Sequence, residues 1–397
     1  MKSDKTLETG SPRRNDDPPC DLLIVGASVR AAAGSARRAG WLAWGSDLFG
    51  DIDLRAIAKF HPLTGAYPES LREFLCSAPA APWMYTGALE NHPTLVDEVA
   101  RVRPLWGNGG TALRAVRDPF RLCDRLRREG FRFPASRPAN PGVPPRGWLS
   151  KLYRSAGGHG ITTEATNSAD LDLRYHQKQL VGTSYSAVFI ADGKECELFG
   201  TTEQLVGLSW LYANPFAWCG NIGPAPLRPH VKHELQALGR CVAESFDLRG
   251  LFGVDCIVDA QERVWLLEVN PRYTASVEVL ELALQRSVLR RHARVFSETL
   301  PQREKPRAGS QGTSVVGKAV LYAPNDLRVA AELLTSRTPA PYEIPDFADL
   351  PQPGQQIAKG APMLTLFASA TTAHECTAVL REKATRILQR RLNRTPE

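Results

Sequence analysis

The sequence has no apolar run of about 18 residues, the length a helix needs to cross a bilayer, so no membrane span is expected. Residues 1–19 are polar and lack the apolar centre of a signal peptide; a disordered tail is expected there. The eight cysteines, Cys20, Cys76, Cys123, Cys196, Cys219, Cys241, Cys256 and Cys376, form no CxxC pair and no Cys/His metal spacing. They read as reduced thiols of a cytoplasmic protein. A glycine turn at Gly26-Ala27-Ser28 lacks the rest of the G-x-G-x-x-G fingerprint, and no ribose-binding acid follows it. That argues against a dinucleotide-dependent dehydrogenase. The basic runs Arg121 to Arg132 and Arg381 to Arg394 carry no interleaved aromatics, so they read as solvated helix faces and no specific nucleic-acid partner is expected.

With 43% apolar and 23% charged residues, the chain falls in the globular range rather than the disordered one. Its net charge of +7 favours anionic small molecules. Leu22 to Val25, the glycine turn, a helix over Ala31 to Ala39 and a strand over Trp41 to Gly45 make a βαβ unit with a parallel sheet. Trp83 to Gly87 reads as a later strand and Glu90 to Val102 as the following helix. A helix over Asp118 to Gly130 and a proline-rich irregular stretch over Arg132 to Arg146 come next. Strands are then expected over Trp148 to Tyr153, His176 to Val181, Ser186 to Ile190 and Cys196 to Glu203. Helices are expected over Val231 to Phe246 and, as one long element, Ser276 to Phe296. Val315 to Tyr322 and Met363 to Phe367 read as strands around a turn-rich segment, and a basic helix closes the chain.

The most informative stretch runs from Gly253 to Arg272. Phe252 to Val258 and Val264 to Asn270 read as a hairpin whose tight turn sets Gly253 opposite Glu268. Alternation then sends Asp255, Glu268 and Asn270 to one face and Trp265, Leu267 and Val269 to the other. Two carboxylates and an amide oxygen on one sheet face suit a hard cation such as Mg²⁺, which completes its shell with water and phosphate oxygens. Pro271 ends the strand and places Arg272 beside that site.

Upstream, Lys151 lies on a strand that runs into Gly157-Gly158-His159-Gly160. The lysine can neutralise phosphate charge, and the glycines let backbone N–H groups approach phosphates closely. His159 is a further candidate phosphate contact. A strand over His176 to Val181 ends at Gly182; Gln177, Lys178 and the Leu180 backbone can meet an adenine edge.

The lysine strand with its glycine loop, the connector Gln177 to Gly182, Asp255, and Glu268-x-Asn270-Pro271-Arg272 occur in the order of the ATP-grasp superfamily, which the chain resembles over roughly residues 20 to 300. The resemblance implies an α/β grasp architecture, with an N-terminal parallel domain over 20–115 and a central ATP-grasp domain with antiparallel sheets over 116–300; beyond it the polar stretch 301–312 reads as a linker and 313–397 as a small β-rich module with a basic helix. The resemblance also implies roles. Lys151 binds the α- and β-phosphates and takes part in catalysis, and the glycine loop covers the γ-phosphate. Gln177, Lys178 and Leu180 meet adenine. Asp255, Glu268 and Asn270 hold Mg²⁺ or Mn²⁺, and Arg272 stabilises the acyl phosphate or the tetrahedral intermediate. Two departures stand out: Val116-Arg117-Asp118-Pro119 leaves only Arg117 in place of an early lysine, and Gln177 stands where Glu is common.

The segment Asp349 to Pro362 resembles small β modules of carboxylase-like members, but Met363 lies between Pro362 and Leu364 and not in a Met-Lys-Met biotin acceptor. A packing or substrate-capping role is expected of it. The expected activity is ADP-forming ligation of a small-molecule carboxylate to an amine, in keeping with members that serve cofactor and one-carbon pathways. Ser276, Glu278 and a loop at Gly220-Asn221-Ile222-Gly223 are candidate contacts to the second substrate. Competing readings are a bicarbonate-activating carboxylase without a biotin carrier, and a nucleotide-binding regulatory protein without turnover. The complete Asp255, Glu268, Asn270 and Arg272 set argues against the second. A homodimer is a state that the resemblance allows.

Overall fold

A computed structural model describes residues 18–165, 168–308, 314–330 and 337–392. Apart from its last two residues the expected N-terminal tail lies outside these, as do the end of the expected linker and the end of the closing helix. Leu22–Val25 is buried at every position, as an apolar strand covered on both faces must be. It is the second-last strand of a four-stranded parallel sheet, ordered Lys59–Phe60, Ala43–Ser46, Leu22–Val25, Trp83–Tyr85. Gly26 closes the first strand with φ 151°, and a Cβ there would lie 2.1 Å from Thr86 Oγ1. The turn therefore requires glycine for space as well as for conformation. The helix Arg30–Arg38 packs its alanines onto this sheet. Helices Ile52–Ile57 and Glu69–Ser77 and the strand Lys59–Phe60 were not anticipated from the sequence.

Ser136–Pro138, Arg174–Lys178 and Trp148–Leu152 form a small antiparallel sheet in that order, so the proline-rich stretch contributes one edge strand. The main sheet has eight strands. In order they are Val264–Asn270, Gly250–Val258, Thr183–Ala191, Cys196–Val206, Trp218–Gly223, Val315–Tyr322, Pro362–Ala370 and Phe347–Ala348. Every neighbouring pair in it is antiparallel. Helix Pro229–Phe246 packs Leu235, Leu238 and Val242 against Phe189, Phe252 and Val254 on one face. Helix Ala275–Leu284 covers the other face, where Val277 and Leu280 meet Val188 and Leu251.

Several expectations are corrected. The segment Gly220 to Gly223 is the end of a central strand rather than a loop. Most of the C-terminal strands extend the main sheet, because Val315–Tyr322 pairs directly with Trp218–Gly223, while Leu327–Arg328 and Gln356–Ile357 pair only with each other. The long helix expected over Ser276 to Phe296 is two helices, Ala275–Leu284 and Leu289–Arg294. Gln285 ends the first in the left-handed region with φ 51°. The Glu281 carboxylate then accepts the Val288 N–H at 2.7 Å and holds the start of the second.

The hairpin register also differs from expectation. Five residues, 259–263, separate the paired Val258 and Val264, with Glu262 at φ 60°. Asp259 organises this turn, accepting from the backbone N–H groups of Gln261 and Arg263 and from the Trp265 indole. A bulge then shifts the pairing again between Asp255 and Cys256, so Asp255 faces Glu268 and Gly253 faces Asn270. Between turn and bulge the faces are exchanged relative to expectation. Val264 and Leu266 enter the core beside Val254 and Cys256, whereas Trp265 turns to Asp259.

Candidate active site

The grasp sheets, the N-terminal unit and the C-terminal strands together line one cavity of about 920 Å³, near the upper end of the range for small-molecule sites. Of the expected site residues, Lys151, Gly157, Gly158, Gln177, Lys178, Leu180, Asp255, Glu268, Asn270 and Arg272 line it. His159 and Gly160 do not, and His159 is exposed.

The carboxylates meet as the strand pattern requires. The Asn270 amide donates to Asp255 Oδ2 at 2.9 Å and to Glu268 Oε1 at 3.4 Å. Gln204, two strands away, donates to Asp255 Oδ1 at 3.0 Å. Burial, and then the facing Glu268, push the Asp255 carboxyl up to about 7. Burial also opposes ionisation of Glu268, but Arg117 and Lys151 outweigh it and hold that carboxyl below its ordinary range. Arg117 Nη1 lies 3.8 Å from Glu268 Oε2, so this residue does reach the carboxylates from the C-terminus of helix Gly110–Val116.

This donor set fits a divalent cation. Two facing carboxylates, one of them driven toward its protonated form, are relieved when a positive charge enters between them. Among the described residues no group of three or more His, Cys, Asp or Glu side chains forms a metal site. A set of two carboxylates and one amide suits Mg²⁺, which takes few protein ligands. Coordination through Asn270 would require its amide to turn over, because its oxygen now accepts from Arg272 Nη2 at 3.1 Å.

Arg272 is fixed on its other side by Glu90, whose Oε1 lies 2.8 Å from Nε and 2.7 Å from Nη2. Glu90 is fully buried and Arg272 is largely so. Glu90 comes from the turn Leu89–Asn91 in the N-terminal unit and carried no signal in the sequence. Lys151 is buried, with Nζ 3.1 Å from Gln177 Oε1. The connector strand ends at Lys178, three residues earlier than expected, and Leu180 sits beyond it in irregular chain. The Lys178 and Gln179 N–H groups already donate to Ala135 O and Gly147 O, each at 2.8 Å.

Gly157, Gly158 and Gly160 all adopt left-handed φ, at 61°, 79° and 73°. A Cβ at Gly158 would lie 2.0 Å from Phe216 O, whereas one at Gly157 would meet nothing within 4 Å. The Gly157 carbonyl accepts the Trp218 N–H at 2.9 Å, tying the loop to the main sheet. Ser276 lines the cavity and accepts from Thr202 at 3.2 Å. Glu278 does not line it, and is held by Arg30 and by Lys318 Nζ at 2.9 Å.

Residues 116–276 match the family model described as "ATP-grasp domain". That segment is an ATP-grasp domain. Its fold is similar to that of biotin carboxylase from Campylobacter jejuni, at 12% identity and a TM-score of 0.63, covering 91% of this chain and 90% of that one. It is similar also to carboxyaminoimidazole ribonucleotide synthase from Aspergillus clavatus, solved with ATP, at 16% identity and a TM-score of 0.64, covering 93% and 99%. L-amino acid ligase from Bacillus licheniformis aligns at 11% identity with a TM-score of 0.63, covering 92% and 97%. At such identities the likeness is one of fold. No curated protein matches the sequence. No helix among the described residues is long and apolar enough to cross a membrane.

Proposed function

We propose that the chain is an ATP- and Mg²⁺-dependent, ADP-forming ligase that activates a carboxylate as an acyl phosphate for attack by an amine. The convergence of Asp255, Glu268 and Asn270 with Arg272 and Lys151 on a single cavity carries this reading. ATP-grasp proteins as a class bind ATP with Mg²⁺, and a similar fold was solved with MgADP. In this proposal Asp255, Glu268 and Asn270 hold Mg²⁺, which when bound offsets charge on the β- and γ-phosphates. Lys151 neutralises the inner phosphates, and Gly157 and Gly158 bring backbone donors to the outer one. Gln177, Lys178 and Leu180 face adenine, the free polar edge being that of Leu180. Arg272, held by Glu90, offers a fixed guanidinium to the oxygens of the activated acid, a preorganised charge that costs no rearrangement during reaction. His159 and Gly160 have no part in the proposed site.

The test is release of ADP and phosphate over a panel of paired carboxylates, bicarbonate included, and amines. Turnover that needs both an acid and an amine, and that Glu268→Gln abolishes, is the expected result. Turnover with bicarbonate alone would indicate a carboxylase instead. Nucleotide binding without ADP release in every pairing would refute the ligase reading.

A further inference from the structure

The proposed nucleotide residues occupy only part of the cavity. Four strand spacings of about 4.8 Å, roughly 19 Å, separate the strand of Asp255 from that of Lys318, and both residues line the cavity. The far end is built where the N-terminal unit meets the C-terminal strands. Five carboxylates, Asp47, Asp51, Asp53, Glu278 and Asp349, gather there around two cations, Arg30 and Lys318.

Four of the five carboxylates are supplied with donors. Asp47 accepts the N–H groups of Val29, Phe49 and Gly50. Asp53 accepts those of Asp349 and Leu350 and lies 3.5 Å from Arg30 Nε. Asp349 binds Arg30 at 2.8 Å and the Thr365 hydroxyl. Glu278 holds Arg30 and Lys318.

Asp51 differs. It is only 5% exposed, lines the cavity, and its Oδ2 meets no donor. It stands just before the helix Ile52–Ile57, where an aspartate normally caps backbone N–H groups, yet its side chain makes no such bond. Burial, then Asp349, Asp53 and Asp47, push its carboxyl up to about 9. A buried acceptor without a partner is costly, and an incoming donor bearing positive charge would remove that cost. The neighbouring surface indicates what carries the charge. Leu48 and Phe49, large apolar side chains that are 51% and 38% exposed, also line the cavity. Among the described residues no carboxylate group here qualifies as a metal site, and the oxygens other than those of Asp51 are already engaged.

We propose that this end of the cavity receives the amine substrate, its ammonium against Asp51 and an apolar body against Leu48 and Phe49. The proposal rests on the ligase reading for its sense, but it can fail separately. The probe is 2-phenylethylamine, with the uncharged 2-phenylethanol as control, titrated by calorimetry into wild-type protein and Asp51→Asn, with and without Mg·ADP. The amine should bind wild type roughly 10- to 100-fold more tightly than the alcohol, the weight of one charge-assisted hydrogen bond. Asp51→Asn should erase that preference while leaving Mg·ADP affinity unchanged. Because Asp51 Oδ2 accepts no bond and the side chain does not cap its helix, the variant should melt at or above the wild-type temperature; Asp51→Ser provides a second replacement. Equal binding of amine and alcohol by wild type would overturn the proposal, as would a preference surviving in both variants or a divalent ion bound in dependence on Asp51. Failure of wild type to bind Mg·ADP would refute the ligase reading, and the amine titration without nucleotide would still decide the role of Asp51.

Discussion

Replacing Glu268 by Gln should weaken metal-nucleotide binding without weakening the fold. In the ligand-free protein Glu268 faces Asp255 across the hairpin and helps to raise that carboxyl from 3.8 to about 7. Burial contributes the larger share of that shift, so the part due to Glu268 is the smaller one. Against this relief stands the loss of Arg117 at 3.8 Å, an ion pair with Glu268 40% exposed, which contributes about 0–1 kcal/mol. Lys151 also favours the ionised Glu268, so the net effect is a ligand-free stability within about 1 kcal/mol of wild type. Binding should move the other way. Loss of one charged ligand should lower Mg·ADP affinity about 10- to 100-fold. Melting without ligand and calorimetry with Mg·ADP measure the two halves. Unchanged affinity would remove Glu268 from the metal site. A ligand-free loss above about 3 kcal/mol, the size expected when a buried pair is broken, would make Glu268 a structural partner of Arg117 and Lys151.

Lys151→Ala should reduce Mg·ADP affinity about tenfold or more, since a buried ammonium is lost from the proposed phosphate side; unaltered binding would leave Lys151 as no more than a support for Gln177. Gly158→Ala should lower the melting temperature well beyond Gly157→Ala. Both carry a left-handed penalty of about 1 kcal/mol, but only the first drives a Cβ into Phe216 O; equal losses would refute the loop geometry. Buried His292 accepts the Leu251 N–H at Nδ1, and burial lowers it from 6.5 to about 4, so it is neutral in the fold. Its contribution is complete above pH 6.5 and is lost as pH falls toward 4, where the unfolded chain takes up a proton that the fold refuses, a total of about 3 kcal/mol. Melting followed across that interval should show the decline in wild type and a flatter profile in His292→Asn.

The sequence made the carboxylate face legible although the expected register was wrong. The turn around Asp259 displaces the pairing by one residue, and the bulge before Cys256 displaces it by one more. Two single displacements restore parity, so Asp255, Glu268 and Asn270 still share a face. Trp265 and Leu266 lie between the two events and feel only the first, and their faces were exchanged for that reason. Neither event has a strong sequence signature. The turn depends on Glu262 taking a left-handed conformation with no glycine present, and the bulge depends on how the strand meets its neighbour.

What alternation could not reveal are the partners brought in by topology. Glu90 reaches Arg272 across 182 residues, and Asp349 reaches Arg30 across 319. Each pair joins the N-terminal unit to a strand or helix boundary elsewhere in the chain, and pattern within a single segment carries no information about such a meeting. The charge balance within the fold does carry it. Arg272 requires an anion, and Glu90 supplies one through its Oε1. A buried Asp51 requires a donor, and the described residues supply none to its Oδ2. The first imbalance is closed inside the protein and gives a fixed guanidinium. The second is left open onto a cavity, and an unmatched polar group in a cavity wall is a form in which a fold can encode its ligand.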